Sequence, residues 1–320
     1  MKDRASLTFH MDTLKVFGHT TPDTDTTCAA IAYAWYLREV ANTPADPYTT
    51  GPLNRETTAV LTHFGVTTPP QLERLEAGDC VALVDTNNPE ELLPGWEEAT
   101  ITHIIDHHKL IGGLRTSEPI SITMQPVACT TTLIWDAART KNVSIPREVA
   151  GLMLAAIISD TLKFTSPTTT PLDREAAEAL TTLSESNIDS LAEAMFAAKS
   201  DLSGLSARNL VTGDSKIYPV AGKRIRISVL ETTKPENALT MAGDLQEAMR
   251  TVHQEEALDG FFFFIIDILQ SNAELLVATP NDQAIAEKAF GKPFTDNTVH
   301  LPGVVSRKKQ ILPPLEAALN

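Results

Sequence analysis

From about Leu14 onward, short apolar runs alternate with longer helical patterns, the arrangement expected of βαβ units and a mainly parallel sheet. LKVFGH (14–19) predicts a buried strand ending at His19, and residues 27–40 predict the helix after it. CVALVD (80–85) is a strand ending in an acid, and THIIDHH (102–108) is another, ending in an acid and two histidines. Pro146 suits a first helical turn, so 146–158 is a helix whose exit delivers Ser159 and Asp160. A further helix covers 172–184. AAKSDLSGLS (197–206) is small and polar without apolar periodicity, and marks a linker. Strands at 224–230, 260–269 and 274–278, with a helix at 242–254, predict a second, smaller α/β unit. The expected division is 1–197, a hinge at 198–206, and 207–320. FFFFIID (261–267) has the two-sided apolar character of a covered strand, and Cys28 fits a buried small side chain.

The 320 residues are 42% hydrophobic and 21% charged, which suits a soluble chain with enough material for two cores. Against 26 Lys and Arg stand 41 Asp and Glu, a net charge of -15 that disfavours nucleic acid and anionic lipid unless basic residues are concentrated in one place. Cys28, Cys80 and Cys129 form neither a disulfide framework nor a CxxC pair, so a reducing, cytoplasmic setting is expected. MKDRASLTFHMDTLKV at the start lacks the long apolar stretch of a signal peptide, and 261–266 is too short to cross a bilayer.

Candidate chemistry lies where the predicted strands end: GHTTPDTD (18–25), DTN (85–87), DHH (106–108), and Asp160. In a parallel sheet the carboxyl ends of strands share one rim, and ligand sites form outside it. Asp23 and Asp25 are expected to alternate on a turn stiffened by Pro22, facing two neighbouring ions. Mixed imidazole and carboxylate donors suit Mn2+ or Co2+, whereas an all-oxygen set suits Mg2+. Two such ions, about 3.5 to 4 Å apart, clamp the attacking and leaving oxygens of an in-line displacement and lower the pKa of a shared water toward about 7. A lone histidine after or within a strand is ordinarily a hydrogen-bonding group, and His103 is read that way; the combined set is hard to explain by packing. SRKKQ (306–310) is the densest basic run. Alone it would be a solvated surface; beside a metal site in so acidic a chain it reads as a phosphate clamp, Arg307 binding bidentately and the lysines acting as point charges.

FGHTTPDTDTTCAAIAYA, LVDTN, IIDHH, PVACTTT, AGLMLAAIISDTLKFTSPT and GVVSRKKQ together resemble the DHH phosphoesterases, and within them the family II, manganese-dependent inorganic pyrophosphatases, nearly end to end. The resemblance implies an N-terminal DHH domain, a C-terminal DHHA2 domain, an active site in the cleft between them, and a cytoplasmic homodimer. It implies His19, Asp23 and Asp85 as ligands of one ion. Asp25, Asp85, His107 and Asp160 would hold the second, with Asp85 bridging. His108, Lys216, Arg307 and Lys308 would hold pyrophosphate, and an added Mg2+ would enter with it. Hydrolysis would then proceed by in-line attack of a hydroxide shared by the two ions. Where the family usually has Asp-His-Asn, this chain has Asp85-Thr86-Asn87; a hydroxyl cannot carry charge near neutral pH, so the change is read as tuning. Rival readings are an exopolyphosphatase, another phosphoesterase of the superfamily, or a non-catalytic metal- and phosphate-binding homologue. A GGGH segment, shared by the oligonucleotide-cleaving relatives, is absent.

Overall fold

The computed structural model describes residues 13–295 and 298–319. The start of the chain, expected to carry no signal peptide, lies outside the described residues. Two compact units divide at Ala198 and Lys199.

The N-terminal unit runs β1 (Leu14–Phe17), α1 (Thr24–Glu39), β2 (Ala45–Pro47), α2 (Arg55–His63), β3 (Cys80–Val84), β4 (Thr100–Asp106), β5 (Ser121–Met124), α3 (Thr130–Thr140), α4 (Arg147–Asp160), α5 (Pro171–Ser184) and α6 (Ile188–Lys199). Its sheet, ordered β2-β1-β3-β4-β5, is parallel at every pairing. Strands covered on both faces must be apolar on both. Val16, Ala82, Val84 and Ile105 pack on α1, α3 and α4, while Phe17, Val81, Leu83 and Ile104 pack on Leu75, Leu92 and Leu93. Each of these side chains larger than alanine contributes about 1.5 to 3 kcal/mol on burial. The small residues of α1, Cys28, Ala29, Ala30, Ala32 and Ala34, allow that close approach, and Ala150 through Ser159 of α4 are all buried. A Cβ added at Gly151 would lie 2.2 Å from the Phe64 ring, so glycine is what lets α2 and α4 meet.

The C-terminal unit runs α7 (Ala207–Thr212), β6 (Asp214–Val220), β7 (Lys223–Thr232), α8 (Pro235–Leu239), α9 (Ala242–Glu255), β8 (Gly260–Asp267), β9 (Asn272–Val277), α10 (Pro280–Phe290), β10 (Val299–Pro302), a π-helical turn at Arg307–Ile311, and α11 (Leu312–Leu319). Its sheet, β10-β9-β8-β7-β6, is antiparallel except between β7 and β8. The apolar run in β8 divides with the two-residue strand period. Phe261, Phe263 and Ile265 join α7 and α9 in one core, and Phe262, Phe264 and Ile266 join α10 and α11 in the other.

Two local expectations change. Helix α6 extends to Lys199, so 197–199 belong to a helix and the connection is 200–206; buried Leu191, Ala192, Met195 and Phe196 form the stripe that carries it. Helix α1 begins at Thr24 rather than at residue 27, because Asp23 caps it by accepting from the Thr26 N–H at 2.9 Å. Asp23 and Asp25 are therefore a helix cap and a first-turn residue, not alternate positions on a turn.

Candidate metal centre

The carboxyl rim of the N-terminal sheet gathers the charged residues. His19 lies two positions past β1, Asp85 directly follows β3, and Asp106 closes β4 with His107 and His108 behind it. Asp23 and Asp25 come from the start of α1, and Asp160 is the last residue of α4. Three overlapping groups result: His19, Asp23 and Asp85; Asp85, His107 and His108; and Asp25, His107 and Asp160, with donor atoms in each group within 4.8 Å of one another. Asp85 and His107 each belong to two. His19 Nε2 is 3.5 Å from Asp85 Oδ2 and 3.8 Å from Asp23 Oδ2. His107 Nε2 is 3.3 Å from Asp85 Oδ1 and 3.9 Å from Asp25 Oδ2. Asp85 adopts a left-handed backbone, φ 58°, a conformation that aspartate tolerates better than most residues and that turns its carboxylate between the histidines.

Side chains that the ligand pattern alone did not single out hold this set in place. Thr26 Oγ1 lies 2.5 Å from both Asp85 Oδ2 and His19 Nε2, and Thr130 Oγ1 donates to Asp85 Oδ1 at 3.0 Å. The start of α3 is aimed at Asp25, whose oxygens accept from the Thr130 N–H at 2.7 Å, the Thr131 N–H at 3.2 Å and the Cys129 thiol at 3.0 Å. A helix N-terminus favours an anion there, and the block PVACTTT is the sequence sign of it. Asp106 is fully buried and joins none of the three groups. It accepts from Asn87 Nδ2 at 2.5 Å and from the His108 N–H at 3.0 Å, and lies 3.0 Å from His108 Nδ1, which fixes a ring whose side chain is 53% exposed.

The electrostatics are those of a site short of positive charge. Burial, then the charge of Asp85, raises Asp25 from 3.8 to about 7 against the opposing effects of His107 and Cys129. Burial, then Asp25 and Asp23, pushes Asp160 well up as well. Burial alone would lower both histidines. The Asp85 hydrogen bond and the surrounding carboxylates outweigh it, raising His19 to about 8 and His107 to about 9. Asp85 itself is buried, yet the bonds from His107 and His19 hold it far below the usual carboxylate range. Without cations the cluster retains protons in their place, and its mixed nitrogen and oxygen donors fit first-row divalent ions such as Mn2+.

Residues 13–157 match the DHH family N-terminal domain, and 193–318 match the DHHA2 domain. A Deinococcus radiodurans protein named as a manganese-dependent inorganic pyrophosphatase is 40% identical over 308 residues, covering 95% of this chain and 98% of that protein. A Lactobacillus gasseri protein of the same name is 36% identical over 307 residues, with the same coverage. Among solved structures, a Methanococcus jannaschii chain described as a family II inorganic pyrophosphatase superposes with a TM-score of 0.70 at 35% identity, over 96% of this chain and all of that one. The chain belongs to the family II inorganic pyrophosphatases.

At the position where the family usually has histidine, Thr86 is buried. Its hydroxyl donates to Glu91 Oε2 at 3.1 Å and accepts from the Asn88 N–H at 3.2 Å, so the side chain serves its own loop. His103 lies outside all three groups, 2.9 Å from the Thr102 hydroxyl, and Cys28 is a fully buried core residue.

The C-terminal unit carries the predicted cations. Lys216 on β6 lines a hollow of about 490 Å³ with Asp214, Tyr218, Glu231 and residues 305–309, which include Arg307, Lys308 and Lys309. Ser306 caps the π-helical turn by accepting from the Lys309 N–H at 3.3 Å, and Arg307 pairs with Asp214. The Arg307 side chain is only 13% exposed, and its Nη1 and the Tyr218 hydroxyl are buried with no hydrogen-bond partner among the described residues. Such buried donors fit an anion.

Proposed function

We propose that this chain hydrolyses inorganic pyrophosphate to two phosphates using two divalent ions, Mn2+ or Co2+, per subunit. The observation that carries the reading is the set of overlapping donor groups that share Asp85 and His107. His19, Asp23 and Asp85 would hold one ion, and Asp25, Asp85, His107 and Asp160 the other. When bound, such a pair lowers the pKa of coordinated water toward neutrality and neutralises charge on a phosphoryl group. The chain's own part is to position and to bind. Asp85 sits between two histidines, with both of its oxygens also engaged by Thr26 and Thr130. His108, oriented by Asp106, presents its other ring nitrogen to substrate. Lys216, Arg307 and Lys308 supply the cations that bind pyrophosphate, and Mg2+ accompanies it. The basic residues concentrated in the C-terminal unit answer the objection raised by the net charge.

The remaining expectations join this reading: a cytoplasmic homodimer, a DHH domain ending near 197, and a DHHA2 domain from about 207. A second copy of the chain has an available edge. β5 ends the N-terminal sheet, its Ile122 is 56% exposed, and Leu110 and Ile111, just past the adjacent strand, are 75% and 50% exposed. Ile122→Lys should shift the mass measured by light scattering from dimer to monomer.

The deciding assay is phosphate release from pyrophosphate, tripolyphosphate and a phosphomonoester by chelator-stripped protein, with Mn2+ and with Mg2+ restored. Pyrophosphate should be strongly preferred and Mn2+ should restore most activity. Comparable rates on all three substrates, or full recovery with Mg2+ alone, would sink the proposal.

A further inference from the structure

Glu56, on α2, carries no role in the proposed chemistry, yet it is 2% exposed and lies under the metal centre. One of its oxygens, Oε2, accepts from the Thr24 hydroxyl at 3.0 Å and from the Ser159 hydroxyl at 2.9 Å. Those two donors occupy informative places. Thr24 stands between Asp23 and Asp25 at the start of α1, and Ser159 immediately precedes Asp160 at the end of α4. Thr24 Oγ1 is also 3.0 Å from Thr57 Oγ1, so α2 meets the start of α1 at two consecutive residues. The Thr57 N–H is itself fixed by the Asn54 cap at 2.8 Å.

We infer that Glu56 is a positioning residue for the ion held by Asp25, His107 and Asp160. Burying a carboxylate is costly unless hydrogen bonds compensate. A purely structural contact between α2 and its neighbours could be made by an apolar side chain, as Phe64 against Gly151 already shows. A single anion bonded to both ligand-bearing segments fixes the distance between Asp25 and Asp160, which come from separate helices. Outer partners of this kind characteristically alter metal affinity by about 10- to 100-fold when removed. Thr24 adjoins ligands of both ions, whereas Ser159 adjoins Asp160, so the effect falls mainly on the ion held by Asp25, His107 and Asp160.

The inference rests on the proposed two-ion centre, and the test separates the two. Calorimetric titration of chelator-stripped full-length protein with MnCl2 alone gives the number of ions and their affinities, and thermal unfolding of the metal-free protein reports the fold. Wild type should bind two ions; failure to bind any refutes the metal centre itself. Glu56→Gln should leave the metal-free melting temperature within a few degrees, weaken one ion about 10- to 100-fold and spare the other. Two ions at wild-type affinity in Glu56→Gln would overturn the inference. If Glu56→Gln does not fold, Ser159→Ala and Thr24→Val decide, since each removes one hydroxyl and keeps the acid. Several-fold weakening of the same ion by each supports the positioning role, and unchanged binding in both refutes it.

Discussion

Replacing Asp85 with asparagine removes the charge shared by both halves of the centre while disturbing little else. Asparagine has nearly the same shape and accepts the left-handed backbone at φ 58°, where alanine would add strain. The amide can no longer ion-pair with His19 Nε2 at 3.5 Å or His107 Nε2 at 3.3 Å. In metal-free protein those histidines stand at about 8 and about 9 against an ordinary 6.5, worth about 2 and about 3 kcal/mol at 1.36 kcal/mol per pKa unit. Burial acts in the opposite direction at both, and the Asp85 hydrogen bond is the foremost effect opposing it. In Asp85→Asn, both His19 and His107 should therefore titrate well below their values in the parent protein. Nitrogen-15 NMR of the imidazoles in metal-free protein, titrated from pH 5 to 10, reads both directly. Manganese-supported pyrophosphate turnover should fall by more than about 100-fold, beyond what loss of an outer partner costs. Unmoved histidine pKa values, or turnover within tenfold of wild type, would refute the assignment of Asp85 as the shared group.

Metal-free protein should lose stability as pH rises from about 4 to 9, followed by urea unfolding in chelator. His19 and His107 hold protons more tightly in the fold, so their contribution is complete below 6.5 and lost through about 8 and 9. Asp25, raised from 3.8 to about 7, disfavours the fold increasingly across that interval, whereas Asp85, held low in the fold, is ionised in both states above about 5 and adds no slope there. A flat or rising curve contradicts this. Affinity for Mn2+ should move oppositely over the same range, since the ligands must shed those protons to bind, and calorimetry at pH 6 and 8 in two buffers measures the release. Lys308→Ala should raise KM for pyrophosphate about tenfold with a smaller effect on kcat, from loss of one charge-assisted contact; an unchanged KM contradicts the clamp. At Gly18 an added Cβ would lie 2.5 Å from the Val84 carbonyl oxygen and 2.6 Å from Thr26 Cγ2, so Gly18→Ala should cost about 1 to 3 kcal/mol and lower the melting temperature measurably.

Much of the site is legible in order along the chain because it is built at element ends. Strands that finish in His, Asp or Asp-His-His, with the parallel pattern that aligns such ends, already placed His19, Asp85, His107 and His108 on one rim. The acids at 23 and 25 were visible too, but their geometry was not: whether Asp23 caps a helix depends on where the helix starts, and that is decided by the hydrogen bond to Thr26. The linker expected from 197 begins at 200 because Ala197, Ala198 and Lys199 close a helix whose buried stripe ends at Phe196, and three small or polar residues carry no periodicity of their own.

By itself the sequence determined the parallel α/β character of the first unit, the presence of the second unit and the family, and it nominated the donor residues that the proposal uses. Apolar periodicity and terminal polar residues are local properties, readable in a window of a few positions. Tertiary structure alone decided what each acid does with its charge. Asp25 and Asp85 are chemically identical and both fully buried, which pushes each upward, yet only Asp25 ends raised, because bonds from two imidazoles, His107 and His19, outweigh burial at Asp85, whereas Asp25 feels the Asp85 charge with one imidazole opposing it. It also brought Glu56 beneath Asp25 and Asp160 from residues 32 and 103 positions away, Thr24 and Ser159. Partners so distant in the chain leave no periodic trace; only the packing of α2 against α1 and α4 makes them neighbours.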